Sequence, residues 1–171
     1  MSAGMMRLFF GLTLSDEARQ AVSAAAAALR FDKGRLHERE NYHLTLVFLG
    51  MTPEEAVPDL LRIGRLAMRQ PFQLALAPEM GTFKDGSIAW AGVAHCPALF
   101  ELQRRLSLML TENGFPGGES VYRPHITVGR GMKLAGPLPR VCPAAFPVEG
   151  ITLFESLRED GRLIYRPLNR P

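Results

Sequence analysis

Two short stretches of this chain echo each other. His43-Leu-Thr45-Leu-Val-Phe-Leu-Gly50 and His125-Ile-Thr127-Val-Gly-Arg-Gly131 both read histidine, apolar, threonine, apolar, with a glycine close behind. Four His and seven Thr in 171 residues predict about 0.16 His-x-Thr occurrences by chance, and two are present, each inside a strand-like apolar pattern. In a strand, residues i and i+2 point to one face, roughly 6.5 Å apart. His43 therefore projects with Thr45, and His125 with Thr127. Leu44, Leu46, Ile126 and Val128 go to the opposite, buried face. The two copies lie 82 residues apart. If two such strands lie side by side in a pseudo-symmetric fold, two imidazoles and two hydroxyls converge on one cleft, and that spacing is the distance between equivalent points of two half-repeats.

The rest of the sequence is compatible with such a unit. At 171 residues, roughly 70% of the unfolded surface can be buried, so a core forms without disulfides or metal. Hydrophobic residues make up 47% and charged residues 22%, which excludes a disordered or fibrous chain. No run of 18 apolar residues is present, which excludes a helical membrane span. Met1 to Met6 carries no basic stretch before an apolar run, so no secretory signal is expected. Cys96 and Cys142 lie far apart, as in a reduced, cytoplasmic protein. The net charge of +3 comes from 20 basic and 17 acidic residues. The basic excess lies after Tyr122, and Arg far outnumbers Lys. Arg presents a planar fork suited to phosphate, but so small a net charge is weak evidence for a polyanionic partner.

Periodicity and caps give an α+β order. Arg7 to Leu14 reads as a buried strand. Ser15 caps a helix running through the alanines to about Arg30. Tyr42 to Leu49 is a strand stopped by Gly50. Thr52-Pro-Glu-Glu55 reads as a capping box opening a helix from Pro53 to about Arg69. Phe72 to Ala77 is a strand, and Thr82 to Val93 a hairpin turning at Asp85-Gly86. Pro97 to Asn113 is a helix with Leu99, Leu102, Leu106 and Leu110 on one face and Gly114 as its stop. Pro124 to Val128 is a short strand. Residues 131–147, with Pro137, Pro139, Pro143 and Pro147, read as a connector. Val148 to Leu157 and Leu163 to Leu168 close the chain as a hairpin around Asp160-Gly161. No linker divides the sequence, so residues 1–171 are expected to form one domain.

Two imidazoles near their ordinary pKa of about 6.5 can work as a pair, one neutral and its partner protonated near pH 7. That suits phosphoryl transfer with a base and an acid on opposite sides of phosphorus. Threonine hydroxyls can donate to the non-bridging oxygens. No His-x-His or His-x-x-x-His pair suggests a metal site, and no cofactor is implied.

The paired motif resembles the two-histidine phosphoesterase superfamily, in its RNA 2′,3′-cyclic phosphodiesterase (2′-5′ RNA ligase-like) branch. Phe-Leu-Gly follows the first copy; Arg-Pro precedes the second and Arg130 follows it. Arg7-Leu-Phe-Phe, Ile88-Ala-Trp-Ala-Gly-Val93, Leu153-Phe-Glu-Ser and Tyr165-Arg-Pro-Leu168 extend the resemblance over nearly the whole chain. The resemblance implies a bilobal α+β fold, two antiparallel sheets lining a central cleft with helices outside. It implies hydrolysis of a terminal 2′,3′-cyclic phosphate on RNA to a 2′-phosphate, with RNA ends or small cyclic-phosphate nucleotides as partners and a monomer as the expected state. His43 would be the proton donor and His125 the proton acceptor, with Thr45 and Thr127 on the phosphate. Arg130 is a further substrate-binding candidate. Strict alternation turns it away from the imidazoles unless Gly129, where a larger residue is more typical, breaks the strand with a bulge. The same pair run in reverse would join RNA ends, and an RNA-end-binding module without turnover is the rival of another class.

His37 and His95 lack a threonine partner and are expected in loops at the surface. Phe48 shares the Leu44 face and is expected in the core. Phe83 and Trp90, in a hairpin that borders the cleft, are also assigned to packing in preference to base stacking.

Overall fold

The structure is a computed structural model describing residues 4–169. Met1 to Ala3, part of the segment read for a secretory signal, lie outside the described residues. Among the described residues, nine strands form two antiparallel sheets. The first has the order β3 (His43–Pro53), β1 (Met5–Thr13), β8 (Thr152–Glu159), β9 (Arg162–Pro167). The second has the order β2 (Phe31–Leu36), β6 (His125–Leu134), β5 (Ile88–Val93), β4 (Phe72–Phe83), β7 (Ala145–Val148). Three helices, α1 (Asp16–Ala27), α2 (Val57–Ala67) and α3 (Pro97–Glu112), complete the α+β fold.

The lobes exchange strands. After α1 the chain places β2 at the edge of the second sheet, then returns to the first with β3. After β7 it returns again, and β8 and β9 finish the first sheet. The helices bury their apolar stripes behind the sheets: Leu60 and Ile63 from α2, and Leu99, Leu106 and Leu110 from α3, are fully buried. Each such leucine contributes about 1.5–3 kcal/mol through removal of its surface from water. The opposite faces of β3 and β6 remain available for polar residues.

Ser15 caps α1 by accepting from the Ala18 N–H at 3.2 Å. The hairpins turn where expected, with positive φ at Asp85, Gly86, Asp160 and Gly161. Four expectations need correction. The first helix ends at Ala27, and Phe31–Leu36 forms a strand that shows no alternation because its edge position leaves its middle exposed. The capping box does not form: Thr52 lies within β3, its hydroxyl donates to the Gly50 carbonyl at 3.1 Å, and α2 starts at Val57 after a 3₁₀ turn over Glu54–Ala56. The strand from Phe72 runs to Phe83. The proline-rich connector holds the end of β6 and the first three residues of β7, whose pairing with β4 ties it into the sheet, and Val148, expected to open the next strand, ends β7 instead.

Candidate active site

A cleft of about 660 Å³ lies between the lobes, lined by His43, Thr45, His125, Thr127 and Arg130. The two His-x-Thr copies thus converge on one hollow, although their strands lie in different sheets and not side by side as expected from the sequence. Each imidazole is held alike. His43 Nδ1 lies 2.8 Å from the Asn41 carbonyl, and His125 Nδ1 lies 2.7 Å from the Arg123 carbonyl. A carbonyl only accepts, so both Nδ1 atoms carry the proton and both Nε2 atoms are lone-pair acceptors in the neutral rings. The Nε2 atoms differ in their company. His43 Nε2 lies 2.9 Å from the Thr45 hydroxyl, which donates to it, whereas no hydrogen bond is formed by His125 Nε2 among the described residues.

The supports of His43 come from four places in the chain. Asn41 sits in a 3₁₀ turn and donates its side-chain amide to the Leu163 carbonyl of β9 at 2.8 Å. Tyr122 donates its hydroxyl to the Thr45 carbonyl at 2.8 Å. Phe9 packs against the His43 ring at 4.7 Å, and Tyr165 meets it edge-on at 4.8 Å. These anchors were not legible in the motif, because they come from β1, β9 and the loop before β6.

A β-bulge interrupts each motif strand just past its threonine. In β3, Leu46 and Val47 are both buried, and the register against β1 shifts between Phe10 and Gly11. In β6, Val128 and Gly129 are both buried, and the register against β5 shifts between Ala89 and Trp90. The extra residue inverts the alternation beyond it. Arg130 therefore turns into the cleft, as the sequence allowed only with a bulge. Phe48 likewise turns into the cleft and is 62% exposed, which corrects its expected place in the core. The carbonyl freed at each bulge finds a donor: Leu46 accepts from the Gln103 side chain at a long 3.5 Å, and Val128 accepts from the His37 N–H at 2.8 Å. Gly129 is required by space, since a Cβ there would lie 2.8 Å from Met132 Sδ and 3.3 Å from the Arg35 carbonyl.

His37 lies in a connecting segment as expected, but not at the open surface where sequence reasoning put it. It follows β2, lines the cleft, and has a buried Nδ1 without a partner among the described residues. No motif marks it; β2 itself carries no strand signal. His95 is exposed, as expected. Phe83 and Trp90 are only partly buried and lie beside His125, Phe83 edge-on at 4.8 Å.

Burial and the Arg130 charge make the unliganded cleft a poor place for more positive charge. Burial lowers the pKa of His43 to about 4; its bond to the Asn41 carbonyl opposes this, while His37, His125 and Arg130 add to it. His37 is lowered to about 4 by burial and Arg130. His125 is lowered by burial, opposed by its bond to the Arg123 carbonyl and assisted by Arg130. Both motif imidazoles are therefore neutral at pH 7, which differs from the expectation of one charged partner. An anion beside Arg130 reverses the sign of the local field and favours their protonation.

A two-lobed α+β fold that offers one His-x-Thr from each lobe to a shared, cationic cleft defines a two-histidine protein. The family model described as the 2′-5′ RNA ligase superfamily matches residues 14–160. The chain is 33% identical over 183 residues to an RNA 2′,3′-cyclic phosphodiesterase of Thermus thermophilus, covering 96% of this chain and 89% of the relative. It is 32% identical to the RNA 2′,3′-cyclic phosphodiesterase of Escherichia coli, covering 96% and 94%. The crystal structure of E. coli LigT complexed with 3′-AMP superposes with a TM-score of 0.86 at 28% identity over 97% of both chains. This chain belongs to the 2′-5′ RNA ligase superfamily, the two-histidine phosphoesterases.

Proposed function

We propose that the chain hydrolyses the terminal 2′,3′-cyclic phosphate of RNA to a 2′-phosphate by acid–base catalysis between His43 and His125, without a metal. The relatives named RNA 2′,3′-cyclic phosphodiesterase over nearly their whole length support the reaction. The observation that carries the mechanism is the matched tethering of the two imidazoles, each with Nδ1–H on a main-chain carbonyl two residues back and Nε2 left for chemistry. His125 Nε2, with no internal donor, takes the proton of water as its oxygen bonds to phosphorus. The bond from phosphorus to the 3′-oxygen breaks, and His43 Nε2 returns a proton to that oxygen.

His43 acquires that proton with substrate, whose phosphate anion offsets Arg130. Once Nε2 carries it, the Thr45 hydroxyl is released to donate to a non-bridging oxygen, and Thr127 does so from the other strand. Arg130 supplies charge to the phosphate, and Phe48 an exposed face for the terminal base. The test is incubation with an RNA bearing a 2′,3′-cyclic phosphate, followed by identification of the product end. A 2′-phosphate is expected, insensitive to EDTA and lost in His43→Ala and His125→Ala. Turnover retained in either variant overturns the mechanism; binding without product leaves an RNA-end-binding module.

A further inference from the structure

We propose that a second groove, beyond His125, is a nucleobase subsite for a nucleoside whose 5′-hydroxyl takes the place of water at phosphorus. This rests on the reading of His125 as proton acceptor. The groove has a volume of about 450 Å³ and is lined by Phe83, Trp90, His95, Phe100 and Arg123. Trp90 is built as a platform. It stands opposite Gly81 in the β4–β5 ladder, and its indole covers that glycine so closely that a Cβ there would collide with the ring. One face of the indole is thus seated on backbone, in a groove that also holds the rings of Phe83, His95 and Phe100, with Ala77, Val93 and Ala94 as aliphatic wall and Glu79 and Arg123 as its charges. Phe83 joins groove to cleft: its centroid lies 5.3 Å from that of Trp90 and 4.8 Å from that of His125.

Position decides the occupant. The attacking and leaving oxygens lie on opposite sides of phosphorus in an in-line displacement. The leaving 3′-oxygen faces His43, whose side of the cleft carries Phe9 and the exposed Phe48. The attacking oxygen faces His125, and the residues beside that imidazole, Phe83, Arg123 and Pro124, all line the groove. Whatever is bonded to the attacking oxygen therefore extends toward Trp90. Water leaves the groove unused. A 5′-hydroxyl nucleoside sets its base against the indole, and the Arg123 guanidinium meets the next phosphate of its strand. The 5′-oxygen bonds to phosphorus as the 3′-oxygen leaves, the 5′-hydroxyl proton goes to His125 Nε2, and the His43 Nε2 proton goes to the 3′-oxygen. The product is a 2′-5′ diester, and the reverse step cleaves one.

The chain has a single Trp, which lies in this groove and 6.5 Å from the His125 ring, so quenching is read relative to that produced by inorganic phosphate in the cleft. The experiment titrates the protein with inorganic phosphate, adenosine 2′-phosphate and 2′-5′-linked diadenosine monophosphate. Only the dinucleotide is expected to quench, and Phe100→Leu is expected to weaken its binding about tenfold, far more than that of adenosine 2′-phosphate. Equal quenching by adenosine 2′-phosphate assigns the groove to the substrate's own base and overturns the proposal. So does a dinucleotide that competes with adenosine 2′-phosphate yet leaves emission unchanged, or one that fails to bind. Hydrolysis of the cyclic phosphate, assayed on the same preparation, tests the histidine pair separately. Its absence alongside intact quenching sinks the hydrolytic reading and not the base subsite.

Discussion

Phe48 and Arg130 occupy equivalent places in the two halves of the cleft. Each stands three residues past its motif threonine, at the same 82-residue offset as the histidines, and each is turned inward by a bulge at the intervening pair. The two halves share a backbone device and fill it differently, an aromatic face on one side and a cation on the other.

Replacing the two residues separates base from phosphate. Phe48→Ala is expected to change stability by less than about 0.5 kcal/mol, because the ring is exposed. It should raise KM about tenfold for an RNA ending in a cyclic phosphate through lost stacking. Arg130→Ala should instead lower kcat/KM for every cyclic phosphate, whatever its base. Steady-state kinetics on substrates of different base identity distinguish the two patterns; an equal loss from both variants on every base contradicts the division.

Gly129→Ala tests the bulge. The new Cβ meets Met132 Sδ and the Arg35 carbonyl, so the strand must shift or Met132 must move. A stability loss of about 1–3 kcal/mol from overpacking is expected in denaturant unfolding. At temperatures where the variant remains folded, kcat/KM should fall toward that of Arg130→Ala. Full activity in a destabilised variant would separate Arg130's placement from the bulge.

The pH dependence follows from the neutral cleft. The proposed mechanism needs His43 protonated and His125 neutral. In the free protein both pKa values lie below 6.5, with His43 at about 4, so the bell in kcat/KM should be centred on the acidic side. The phosphate anion raises both values in the complex, so the bell in kcat should lie at higher pH. The two limbs belong to the pair and not to single residues. Coincident profiles centred near 6.5 would contradict the field assigned to Arg130.

His37 enters through stability. His37 and His43 titrate at about 4 when folded and at about 6.5 when unfolded. Between those values the unfolded chain binds more protons, so stability is full above about pH 6.5 and is lost as pH falls toward 4. His37→Val removes one of these groups, and the slope of unfolding free energy against pH should drop by about one proton. Denaturant titrations at pH 7, 6 and 5 measure it; an unchanged slope would mean that His37 does not resist protonation.

The repeated histidines and threonines, the cores of all three helices and both tight turns could be read from local pattern, because each depends on neighbours in sequence. The direction of Phe48 could not. Period-two alternation sets it beside Leu44, and only the register against β1 and the Gln103 side chain of α3 reveal the inserted residue. Arg130 was half legible, since Gly129 marks the place where a bulge fits. His37 and Phe31–Leu36 were illegible for one reason: an edge strand open to solvent needs no apolar face, so nothing in its composition announces it.

The strand exchange also sets how the cleft behaves as an aperture. The chain crosses between the sheets four times, and one of those crossings carries the 3₁₀ turn whose carbonyl holds His43. Neither wall can swing outward on a single hinge, because each is threaded through its neighbour. The gap between the walls is therefore set by the fold as a whole and not by one joint.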